Sequence, residues 1–320
     1  MRARTLLLTL VVLGLVAWGA KVLVDKGVGL LPDPESCQAT VGERTVTVSP
    51  KQAENAALIA GVAVRRELPP RAVSIALATA FQESKLHNIA YGDRDSVGLF
   101  QQRPSQGWGT RKQLLDPLYA TNAFYDALVK IDGYSTMRIT EAAQAVQRSA
   151  YPEAYDAHAA DARILASALT GQTEGGSFHC EVSSEPDASA TALTPAGLTA
   201  RASRVRRDVE RVFGAQRLGG FAPGGVSTGH MAGSAHYEGR AIDVSIDPDS
   251  ASDRQRGWAM AAFLVARAER LDIDHVIFDG RIWTRWRSDE GWRDYQPPDN
   301  ASGDPRTLMH RDHVHVDVAR

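Results

Sequence analysis

Five residues near the C-terminal end of the chain could do metal chemistry: His236, Asp243, His310, His313 and His315. The first two lie in "GSAHYEGRAID" and the others in "HRDHVHVDV". In an extended strand residues i and i+2 share a face, so His313 and His315 point the same way while Val314 and Val316 point into a core. A turn at Gly239 would let His236 and Asp243 converge. His236, Asp243 and one C-terminal histidine would give two imidazoles and a carboxylate. Three protein ligands with a fourth position left open are the arrangement of a catalytic zinc site. A zinc ion there lowers the pKa of a bound water towards neutrality. Two histidines on a strand could equally be an exposed ladder.

A second candidate is Glu83 in "AFQESKLHNIAYGDRDSVGLFQQ", at the end of an apolar helix beside Phe81 and Leu86. Apolar surroundings disfavour its ionised form and raise its pKa, as a general acid at a glycosidic bond requires. The competing reading is an exposed glutamate at a helix end. Trp108, Tyr91 and Phe100 could form a sugar-stacking wall or belong to the core.

Both stretches resemble known families. "SAHYEGRAID" is similar to the S-x-H-x-x-G-x-A-x-D element of zinc D-alanyl-D-alanine carboxypeptidases and LAS-type peptidoglycan peptidases, and "DHVHV" to their closing H-x-H. The likeness implies that His236, Asp243 and His315 bind Zn2+ and that His313 or Asp312 is the general base. That family's upstream arginine has only Arg217, in "AQRLGGFAPGG", as a counterpart. His230 and His310 are expected behind the ligand set or at the surface. "ES" followed by "GLFQ" resembles lysozyme-like lytic transglycosylases. That likeness implies Glu83 as catalytic acid and Gly98, Leu99 and Gln101 lining the sugar groove, beside which Trp108 would lie if it forms the stacking wall. Asp93 and Asp95 are the nearby carboxylates for a second role, which hydrolysis with inversion needs and transglycosylation does not.

The elements that must position these residues fall into two groups. Ser49-Pro50, Pro70 and Asp116-Pro117 each open a helix, and Gly171 closes a mostly α-helical stretch in which no strand of any length is evident. Residues 183–193 have linker composition. Thr194-Pro195 then starts a helix, and "RAIDVSI", a hairpin turning at Asp279-Gly280 and "HVHVDV" supply strands. The expected fold is therefore multidomain. A mostly α, lysozyme-like domain (36–182) and an α+β zinc peptidase-like domain (194–320) follow a membrane helix and spacer (1–35).

Arg2 and Arg4 precede the apolar run from Thr5 to Val24, which is long enough to cross a bilayer with Lys21 at one end. A cleaved signal peptide is the alternative, with small residues at Ala17 and Gly19. Either places the rest outside the cytoplasm, where Cys37 and Cys180 are expected to form a disulfide. A net charge of −2 argues against a nucleic-acid partner. Together these features point to an exported, membrane-anchored, bifunctional enzyme acting on peptidoglycan. The alternatives are a cell-wall binding protein with one or both catalytic sites inactive and, less well matched, a metal-handling protein.

Overall fold

The structure, a computed structural model, describes residues 35–172, 176–186, 191–299 and 301–320. Residues 36–320 form one compact unit. Its first part opens on the hairpin β1 (Cys37–Val41) and β2 (Arg44–Val48), turning at Gly42. Helices Pro50–Arg65, Pro70–Ser84, Pro117–Leu128, Ile139–Gln147 and Ala159–Thr170 follow, and β3 (Ser177–Cys180) returns to pair with β1. The helix starts obey their local chemistry. Ser49 and Gln52 form a reciprocal cap with Pro50 in the first turn, and the Asp116 side chain accepts from the Leu118 amide.

The second part carries a six-stranded antiparallel sheet in the order β4-β5-β9-β6-β7-β8. Its strands are β4 (Leu218–Gly219), β5 (Ala241–Ser245), β6 (Ile273–Phe278), β7 (Arg281–Thr284), β8 (Arg293–Asp294) and β9 (His313–Val318). Asp279 and Gly280 both have positive φ, at 47° and 74°, as the tight β6–β7 turn requires. Helix Ala251–Val265 packs on β6 and β9 and also touches helices Pro50–Arg65 and Ala159–Thr170. Gly257 permits its close approach to β6, since a Cβ there would come within 2.3 Å of the Phe278 ring.

Three expectations need correction. The fold is not a mostly α domain followed by a separate α+β domain. Among the described residues the structure is mixed, 44% helical and 15% strand, and its two parts share a single core. A Cβ on Gly61 would stand 2.7 Å from Val212, which shows how closely a helix of the first part meets helix Ala200–Phe213 of the second. The first part is also not free of strands, because β1, β2 and β3 form a sheet across its ends. Finally, Thr194-Pro195 does not open a helix. Gly197, at φ 82°, turns the chain, and helix Ala200–Phe213 begins after Thr199, whose side chain accepts from the Ala202 amide. Among the described residues no helix is long and apolar enough to cross a membrane. The run from Thr5 to Val24 lies outside the described residues.

Candidate functional sites

The register of β5, β9 and β6 assembles the first site. Asp243 stands directly opposite His315, and His275 opposite Asp317. His313, His315 and Asp317 alternate with three core valines, so they share the opposite face of β9. His236 comes from a short 3₁₀ turn capped by Ser234 and ended by Gly239 at φ 64°. Its Nδ1 lies 2.8 Å from the Gly220 carbonyl, which can only accept. The proton therefore sits on Nδ1, and the Nε2 lone pair faces inward.

Three potential ligand atoms then form a small triangle. His236 Nε2 is 3.3 Å from Asp243 Oδ1 and 3.2 Å from His315 Nδ1. His315 Nδ1 is 3.0 Å from Asp243 Oδ1. Nitrogen and oxygen ligands about 2.0–2.2 Å from a tetrahedral ion stand about 3.3–3.5 Å apart, so the triangle has the dimensions of one face of a tetrahedral metal site. His230 joins the group, with His230, His236 and Asp243 offering ligand atoms within 4.8 Å of one another. These three could hold a metal ion. His230 lies outside the expected ligand set, yet its ring stacks on His236 at 3.9 Å.

Electrostatics reinforce the arrangement. Burial pushes the His315 pKa down, but the Asp243 and Asp317 carboxylates outweigh it and raise it to about 10. Burial would raise the Asp243 carboxyl, yet its close contacts with the His236 and His315 rings hold it well below the usual carboxylate range. The pocket thus favours a positive charge at its centre. His310, pushed down to about 3 chiefly by burial, lies with its ring 4.6 Å from that of His313 and 5.6 Å from that of His315.

Asp312 and His313 act as a pair. His313 Nδ1 donates to Asp312 Oδ1 at 2.6 Å, and Thr307 Oγ1 donates to the other carboxylate oxygen at 2.6 Å. His313 Nε2 is turned towards the triangle, 3.8 Å from Asp243 Oδ1. Arg217 is exposed, just before β4, and its carbonyl accepts from the Ser245 amide at 2.9 Å.

The second site surrounds Glu83. It lies in the last turn of helix Pro70–Ser84, which ends in two consecutive left-handed residues, Lys85 and Leu86. Tyr155 Oη donates to Glu83 Oε1 at 2.7 Å. Burial raises the Glu83 pKa, against hydrogen bonds from Tyr155 and Gln147. The negative end of the helix dipole acts in the same direction as burial. Ser84 Oγ donates to the Leu99 carbonyl at 2.7 Å, and Gln147 Nε2 to the Phe100 carbonyl at 2.8 Å, so the "GLFQ" segment lies against the glutamate's helix end. Gly98 is obligatory at φ 81°, where a Cβ would stand 2.4 Å from the Leu114 carbonyl oxygen. Gln101 takes φ 47° and bonds the carbonyls of Tyr91 and Gly98.

Leu99 and Phe100 are fully buried, with Phe100 stacked on Phe124, so these two side chains serve the core. Trp108 is half-buried, and Tyr91 is 75% exposed. Asp95 is committed elsewhere, since Arg103 and Ser105 hold its carboxyl well below the ordinary range. The Asp93 side chain is 89% exposed.

Residues 194–305 match the family described as VldE, C-terminal domain. The matched stretch contains His230, His236 and Asp243 and stops short of Asp312, His313 and His315. That family is tied by name to peptidoglycan peptidases, so the likeness of the second part holds at that coarser level, while the match identifies it neither as a zinc peptidase nor, for the first part, as lysozyme-like. No curated protein matches the chain.

Sequence reasoning missed Gly220, Asp317, His275, Tyr155 and Gln147, and it set His230 behind the ligand set or at the surface rather than within the group. For Asp317 a signal existed, because "HVHVDV" keeps its alternation for one more polar residue. Gly220 is recognisable only in three dimensions, where its carbonyl fixes His236 and a Cβ would lie 2.2 Å from that ring.

Proposed function

We propose that this chain is an exported enzyme of peptidoglycan remodelling, anchored through its N-terminal segment, with two reaction centres. The observation that carries the reading is the triangle of His236 Nε2, Asp243 Oδ1 and His315 Nδ1, with edges of 3.0–3.3 Å. These three residues would hold Zn2+, with His230 at the margin of the set. A bound zinc ion supplies Lewis-acid polarisation of a peptide carbonyl and acidifies water. The chain's own contribution is proton handling. His313, its Nδ1 proton held by Asp312, presents a free Nε2 lone pair to the site. There it takes the proton of the attacking water as the oxygen bonds the carbonyl carbon, and it returns that proton to the leaving amine. Asp312 thereby serves as the orienting carboxylate, with the imidazole ring between it and the reaction.

At the other centre protonated Glu83 donates to the glycosidic oxygen as that bond breaks, and Tyr155 fixes its carboxyl group. With Asp95 bound to Arg103 and Asp93 in solvent, attack by the sugar's own hydroxyl is favoured over water activated by a second carboxylate. Glu83 then accepts the hydroxyl's proton as the anhydro ring closes. The Cys37–Cys180 disulfide agrees with an extracytoplasmic location.

Incubation of the full chain with purified peptidoglycan, followed by mass analysis, tests both centres. Anhydro-sugar ends should appear and vanish in Glu83→Gln. New peptide termini should appear and vanish in His236→Ala and after chelation. Wall binding with no fragments of either kind would instead mark a binding protein with inactive sites.

A further inference from the structure

The His315 imidazole has two nitrogens, and the structure gives each a different neighbour. Nδ1 faces His236 and Asp243. Nε2 faces Asp317 Oδ2 at 3.3 Å. The second oxygen of Asp317 accepts from His275 Nδ1 at 2.8 Å. Asp317 is only 7% exposed, and cross-strand pairing on the central strand β9 sets it directly opposite His275. His275 in turn has the ring of Trp286 edge-on at 4.5 Å, and Trp286 is 63% exposed. A line of contacts therefore runs from the triangle through His315, Asp317 and His275 to the surface.

We infer that Asp317, itself steadied by His275, is a positioning residue that fixes His315 as the Nε2–H tautomer and so directs its Nδ1 lone pair at the metal position. The inference rests on the reading of His236, Asp243 and His315 as ligands. The physical reason is simple. An ionised carboxylate cannot donate, so the nitrogen facing it must carry the proton. A neutral imidazole has one proton, and placing it on Nε2 frees Nδ1. A carboxylate behind a ligating histidine also makes the ring a stronger base and stops it rotating. The same logic applies to His236, whose Nδ1 proton is taken by the Gly220 carbonyl. A backbone carbonyl carries no net charge, whereas Asp317 adds a full negative charge behind its ring. His315 is therefore the ligand whose strength depends most on the residue behind it.

The test uses the full chain in mild detergent with zinc ions alone. Competition with a chelator at neutral pH should show the Asp317→Asn variant binding zinc about 10–100-fold more weakly than wild type. His275→Gln, which leaves the carboxylate in place, should show a smaller loss. Thermal unfolding before zinc addition separates this from a general loss of structure. Long-range proton–nitrogen spectra of histidine-labelled wild-type protein give a readout that needs no variant. They should show His315 protonated at Nε2 in the zinc-loaded chain, with assignment from the His315→Gln spectrum. Equal zinc affinity in wild type and Asp317→Asn, or a proton on His315 Nδ1, overturns the inference. Failure of the wild type to bind zinc overturns the underlying reading instead.

Discussion

At the scale of single residues, Glu83 and Gly220 make opposite demands on their surroundings. Glu83 needs burial to keep its proton. Its folded pKa lies above the unfolded value, so the native state holds more protons than the unfolded chain between those two values, and stability falls as pH rises through that window. Glu83→Gln should therefore be as stable as wild type at neutral pH or more so, while glycan cleavage drops by about 10²–10⁴-fold. Cleavage by the wild type should fall as pH rises through a value above the ordinary carboxylate range. A destabilised Glu83→Gln protein, seen as a lower melting temperature, would contradict the burial argument. Gly220 needs emptiness. At φ 80°, with a virtual Cβ 2.2 Å from His236 Cε1 and 3.0 Å from Asp243 Oδ2, any side chain would push both groups apart. Gly220→Ala should weaken zinc binding by at least about 10-fold in a metal titration; unchanged affinity would show that the loop moves aside freely.

At the scale of elements, the small sheet β1–β2–β3 shows what was hidden in the sequence. "CQATV" and "RTVTV" are only five residues each, and "SFHC" lies inside a polar stretch, so none carries a long enough alternation to stand out. Cysteine arithmetic gave the pairing of Cys37 with Cys180, and the structure bears it out. That the bridge joins directly opposed residues of two strands was not legible, because strand pairing is a property of distant segments. The same division holds at the histidine site. The shared face of His313 and His315 follows from alternation along one strand. The meeting of Asp243 with His315, and of Asp317 with His275, follows from a register among β5, β9 and β6 that no single segment encodes. Replacing both cysteines by serine should lower stability by about 2–5 kcal/mol, read from the urea midpoint. An unchanged midpoint would mean that the sheet closes without its bridge.

At the scale of the whole molecule, the two parts are joined by packing and by a buried cation. Arg267, 4% exposed, donates to the Glu54 carbonyl at 3.0 Å and lies over the Phe263 ring, while the neighbouring Arg270 bridges Glu54 and Asp208. Arg267→Ala should cost about 2–3 kcal/mol. With one shared core, secondary structure and aromatic packing should be lost in one coincident urea transition. Two separated transitions would show that the parts fold independently after all. The bridge between residues 37 and 180 has a further effect at this scale. It turns that length of chain into a covalent ring, to which the residues from 181 onward stay attached whatever single bond is cut inside it. A protease that cuts once anywhere inside the ring releases nothing: the nicked chain migrates as one molecule until a reductant opens it. At the proposed extracytoplasmic location, where reductants are scarce, a cut between the cysteines would leave Glu83 and the histidine site covalently joined.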